Sequence, residues 1–216
     1  IDLGLGRAPG TDMRTAQALR RNLDSAANNF PQDVVELMQF MGPLAPEQKV
    51  VAVPGANSNV PVWLLGSSHY SAHLAGMLGL PFAFASHFAP DMLLSALQIY
   101  RDRFEPSQHL DRPHVMVGVM GAATETDAEA QHLFTSMQQS FVRLRRGTPD
   151  AFPPPVDSMD SLWSEQERIM VEHTLQYAVV GGPETIRKRI ADFLALTGAD
   201  ELIVSMPVYD MEARLK

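Results

Sequence analysis

The stretch Leu65-Gly66-Ser67-Ser68-His69-Tyr70-Ser71 concentrates the groups best suited to hold an anion. A strand ending in glycine, two hydroxyl residues, and a helix with a third hydroxyl in its first turn would gather Gly66, Ser67, Ser68 and Ser71. The free backbone N–H groups of that turn would point the same way, making a compact phosphate cradle. The plainer alternative is a serine that merely caps the helix, and the residues alone leave both open. Arg7 closes a neighbouring apolar segment, Ile1 to Gly6. Adjacent parallel strands lie roughly 5 Å apart, so its guanidinium would reach an anion held by Ser67 and Ser68.

Other residues invite chemistry less strongly. His87 follows the strand Phe82–Ser86 and would point into a barrel mouth as a general acid/base or substrate contact. A loop histidine satisfied by backbone is the competing reading. His69 and His73 share a helix face at i, i+4, a metal-compatible spacing, but no nearby carboxylate completes a ligand set, and no metal is assigned. Gly4-x-Gly6 resembles part of a dinucleotide fingerprint, yet the third glycine and the helix fall in the wrong places. His114 opens a strand at the opposite end and is expected to be structural. The twelve methionines mostly sit at core spacings.

The elements that must position these groups alternate in kind. Apolar runs at 1–6, 61–66, 82–86, 114–120 and 201–206 are read as five strands. The run Pro61–Gly66 is continuous, as in a strand buried on both faces of a parallel sheet. Helices are expected from Thr11 or Asp12 to about Ala27, from Pro31 to Met41, after Ser68, after Pro90, and from Asp127 to about Arg145. Two more follow: one capped by Ser158 or Asp160 and carrying Leu162, Trp163, Ile169 and Met170, and one over Ile186–Leu196 with Pro183 pre-setting its first turn. Residues 147–157, with four prolines, are a flap over the strand ends or a connector. No hairpin signal appears, so the grammar is parallel α/β, either an open doubly wound sheet or part of a (β/α)8 barrel. The chain has no initiator Met and opens inside a strand, which suggests that sequence precedes it.

Composition bounds the rest. The 216 residues are 45% hydrophobic and 19% charged, which is globular, and are read as one domain, 1–216. A net charge of −8 argues against nucleic acid as a partner. The absence of cysteine excludes disulfides and cysteine-ligated metals and fits a reducing, cytoplasmic setting. No apolar run approaches the ~20 residues of a membrane span.

Three segments together resemble the bacterial luciferase-like flavin-dependent monooxygenases. Ile1–Arg7 is similar to the family's fourth barrel strand. Pro61–Ser68, with Ala72 through Leu80, is similar to the fifth strand and its helix. Val179–Thr185 followed by Thr197–Leu202 is similar to the last helix and eighth strand. The resemblance implies an incomplete TIM barrel with strands 4 to 8 present. It implies FMN, used in reduced form with O2 on a small organic substrate, or the deazaflavin F420 in a hydride-transferring variant. Arg7 then matches the phosphate-binding arginine and Ser68 and Ser71 the hydroxyl ligands, while Ser67 stands where luciferase has a glutamate. A flavin reductase supplying reduced FMN and a homodimeric state are also implied. A non-catalytic flavin-binding protein on a shortened barrel, or a fragment with two unpaired sheet edges, are the other expectations.

Overall fold

The computed structural model describes residues 1–8, 13–19 and 23–215. Thr11 and Asp12, expected as a helix cap, lie outside them. The chain divides into two compact units, Ile1–Ala83 with Ser95–Val115, and Phe84–Leu94 with Met116–Lys216.

In the first unit, β1 (Leu3–Gly6) leads to α1 (Met13–Leu19) and α2 (Leu23–Met41), then β2 (Val62–Gly66), α3 (His69–Leu78), β3 (Phe82–Phe84) and α4 (Leu93–Arg103). Strands β1 and β2 pair in parallel, with Leu3 opposite Val62 and Gly6 opposite Leu65. Val62, Trp63 and Leu64 are buried, whereas Leu65 is 37% exposed. The apolar run is thus enclosed for three residues and opens toward its carboxyl end, where Gly66 follows. Helix α3 buries Ala72, Leu74, Ala75 and Gly76 and stops at Gly79, whose φ of 61° is the left-handed cap that glycine takes without a Cβ penalty.

One expectation changes here. Pro31 lies inside α2 rather than at a helix start. Proline forfeits one backbone bond of a helix, and the helix nonetheless continues through it to bury Val34, one turn on, which is 1% exposed. Tyr100 of α4 fastens the strand ends. Its hydroxyl donates to the Leu80 carbonyl (2.9 Å), has the His114 carbonyl at 3.3 Å, and accepts from the His114 N–H (3.1 Å). His114 also meets Trp63 edge-on, with ring centroids 5.5 Å apart. That makes it structural, as its place in the sequence suggests.

In the second unit, β4 (Val115–Ala123) is followed by α5 (Asp127–Arg145), α6 (Glu165–Thr174), β5 (Val179–Gly181), α7 (Pro183–Thr197), β6 (Glu201–Ser205) and α8 (Met211–Arg214). Strand β4 pairs in parallel with β6 from Met116–Glu201 to Met120–Ser205, and at its carboxyl end with β5. The described residues therefore hold six strands where the apolar runs suggested five. Three residues are too few to show a period, and Val179-Val180 reads as a lead into α7. The helices bury Phe134, Met137 and Val171 against Met120, Ala122 and Val180, and each such large apolar side chain contributes roughly 1.5–3 kcal/mol.

Helix α6 begins later than expected. Its cap is Ser164, not Ser158 or Asp160, and Ser164 and Glu167 form a reciprocal capping box. Leu162 and Trp163 thus precede the helix. The proline-rich segment is fastened along α5 rather than free: Gln139 donates to the Pro154 carbonyl (2.9 Å) and the Val156 N–H donates to Thr135 Oγ1 (2.9 Å). It is a connector. Among the described residues, no helix is long and apolar enough to cross a membrane.

Candidate functional site

The parallel register carries Arg7 one residue past the Gly6–Leu65 pair, so it emerges beside Gly66 at the carboxyl end of β2. There the chain turns from strand to helix within two residues. Ser68 stands at the N-cap of α3 with extended backbone (φ −146°, ψ 170°), but its hydroxyl makes no capping hydrogen bond. Ser68 is therefore the N-cap by position and not by a side-chain bond. A capping serine would turn its oxygen onto the N–H groups of the first turn, and the Ser68 hydroxyl does not.

Gly66 and Ser71 are in close approach. A Cβ on Gly66 would lie 2.6 Å from the Cβ of Ser71 and closer still to its Oγ. Ser71 is 4% exposed, so its hydroxyl is held at the floor of the corner, while Ser67 and Ser68 are half-buried above it. The Arg7 guanidinium lies over the Tyr70 ring, 3.8 Å from carbon to centroid. The structure therefore brings Arg7, Gly66, Ser67, Ser68 and Ser71 to one corner and adds Tyr70. His69 is engaged elsewhere, its Nε2 lying 2.7 Å from Ser95 Oγ. Tyr70 was missed because its partner is 63 residues away; only the strand register makes the pair visible.

His87 belongs to the second unit. Ser86, fully buried, donates to the Gly118 carbonyl (2.7 Å) and so anchors the segment against β4. His87 then covers Gly118: a Cβ there would lie 2.9 Å from the ring's Cε1 and nearer still to Nδ1. Among the described residues Nδ1 is buried without a hydrogen-bond partner, and burial pushes the proton affinity of the ring down. Burial thus favours the neutral form of the ring. It borders a cavity of about 690 Å³ shared with Phe88, Met120, Met137 and Phe141.

This geometry can be set beside known proteins. A model of the luciferase-like monooxygenases matches residues 15–201. The chain belongs to the luciferase-like monooxygenase family. It is 50% identical over 215 residues to a luciferase-like monooxygenase of Escherichia coli (strain K12), all of this chain aligning with 64% of that protein. It is 49% identical over 217 residues to the uncharacterized protein YvbT of Bacillus subtilis (strain 168), with the same coverage. The solved structure of apo-MsnO8 superposes with a TM-score of 0.79 at 28% identity, covering 99% of this chain and 64% of that one. The chain therefore spans about 64% of the length of these family members. An α/β fold with a parallel sheet is common to this chain and its luciferase-like neighbours.

Proposed function

We propose that the corner formed by Arg7, Gly66, Ser67, Ser68 and Ser71 holds the phosphate of FMN, in a flavin-dependent monooxygenase that uses reduced FMN and O2 on a small organic substrate. The observation that carries this reading is the uncapped start of α3 beside Arg7. Backbone N–H groups and hydroxyls at a helix start donate hydrogen bonds to a phosphate, and the helix dipole favours its charge. Arg7 adds a full positive charge, and Tyr70 fixes where that charge sits. Gly66 lets Ser71 close the floor. When bound, the reduced flavin supplies the electrons that activate oxygen.

His87 is proposed as the acid/base group, because its Nδ1–Cε1 edge is turned to Gly118 and its ring borders a cavity, which leaves Nε2 as the nitrogen able to exchange a proton. Strands β1, β2, β3, β4 and β6 are proposed as the fourth to eighth strands of the family barrel. A reductase supplying FMNH2, a homodimeric state and a cytoplasmic location complete the proposal.

The test is flavin titration of the parent and of Arg7→Ala, followed by absorbance or fluorescence quenching. Loss of a charge-assisted phosphate contact should weaken FMN binding about tenfold or more. Equal affinity in the two proteins sinks the assignment. F420 serves as the competing probe, and tighter binding of F420 than of FMN would favour hydride transfer without oxygen. Stoichiometric flavin retention with no substrate-dependent turnover would point to a binding protein instead.

A further inference from the structure

The cavity beside His87 is lined by residues distinct from those of the cradle. Its volume of about 690 Å³ falls within the roughly 300–1,000 Å³ of small-molecule pockets, which are mostly apolar with a few placed polar groups. Phe88, Met120, Met137, Phe141 and Leu144 make the apolar wall. Two phenylalanines and two thioethers around one space favour a flat aromatic guest, because ring edges and sulfur both pack well against an aromatic face. Phe88 already meets the His87 ring at right angles, with centroids 4.7 Å apart.

The polar groups are few and differ in charge. The Nδ1–Cε1 edge of His87 is turned to Gly118, which directs Nε2 away from the strand. Arg145, in the last turn of α5, is the charged residue of the lining, and no carboxylate shares the wall with it. Its guanidinium makes one long hydrogen bond among the described residues, to Thr174 Oγ1 at 3.4 Å. An arginine fork without a carboxylate partner, at the rim of an apolar space, suits a carboxylate brought by a ligand.

We propose that this cavity binds a small aromatic acid, its ring among Phe88, Met120, Met137 and Phe141, its carboxylate at Arg145 and one hydrogen bond at His87 Nε2. The site accounts for two features that the flavin reading leaves unused, an arginine fork that has no carboxylate partner among the described residues and the aromatic–thioether wall.

The experiment titrates the full chain, without flavin, with 2-naphthoate and with its neutral counterpart 2-naphthylmethanol. Saturable binding of the acid is expected, about tenfold tighter than the alcohol, since hydrogen bonds to charged groups are worth more than neutral ones. Arg145→Met, a change at an exposed position, should bring the acid down to the affinity of the alcohol. Ser140→Trp, which fills the cavity, should abolish binding of both. Absence of saturable binding, equal affinity for acid and alcohol, or an Arg145→Met variant that binds like the parent overturns the proposal. Loss of naphthoate binding in Arg7→Ala would place the probe in the cradle and overturn it too. None of these outcomes depends on whether FMN binds.

Discussion

The guanidinium carbon of Arg7 stands 3.8 Å from the centroid of the Tyr70 ring, so the cation at the end of one strand is positioned by the helix that follows its neighbour. Cation–π contacts at exposed sites are worth about 0.5–1 kcal/mol. Tyr70→Leu should therefore weaken FMN binding by roughly two- to fivefold, while Tyr70→Phe keeps most of the affinity. A Tyr70→Leu protein that binds FMN as the parent does would show that Arg7 needs no positioning.

Gly66→Ala should cost stability as well as affinity. The added methyl lands 2.6 Å from the Ser71 Cβ, on a helix whose buried face leaves Ser71 little room to retreat. Overpacking of this kind costs about 1–3 kcal/mol. Thermal melting followed by circular dichroism measures it, and an unchanged melting temperature would mean that the corner is looser than described.

Tyr100→Phe removes one oxygen from a fully buried ring. The Leu80 carbonyl loses this donor and the His114 N–H this acceptor, and losing a hydrogen bond at a buried carbonyl costs about 1–3 kcal/mol. Urea denaturation should show a lower midpoint at unchanged slope. A midpoint equal to the parent's would mean that water replaces the hydroxyl.

Acid should loosen the junction of α5 and α6. Arg146, through a two-pronged contact at 2.6 and 2.9 Å, and then Ser164 hold the Glu167 carboxyl down to about 2. A depressed carboxylate stabilises the fold above its ordinary value of 4.5 and loses that contribution as pH falls from there toward 2. The stability difference between parent and Glu167→Gln should thus be full at pH 7 and shrink at pH 3. A difference constant across that range would remove the ionised pair from the explanation.

The strand–helix alternation was legible because buried parallel strands are continuous apolar runs, and Asp127–Arg145 was legible because its apolar spacing and acidic start agree. What escaped the sequence had physical causes. β5 is three residues long and exists through pairing with the end of β4. Pro31 sits within a helix whose far side is held by burial. The start of α6 was misplaced although Ser164-Glu165-Gln166-Glu167 spells a capping box; the earlier hydroxyl and acidic residues at 158 and 160 offered a rival cap. In the candidate site, the serines, Gly66 and Arg7 were legible as a group. Tyr70 was not, and neither was the position of His87 over Gly118, since both depend on neighbours far away along the chain.

Gly66 and Ser71 share one small volume, so their freedom to vary is joined. A side chain at position 66 forces the one at 71 to shift, and a glycine at 71 would surrender both the hydroxyl and the helical preference of that turn. A change at one of these two positions therefore alters what the other tolerates. The strand-to-helix turn thus ties two positions five residues apart into one unit of variation.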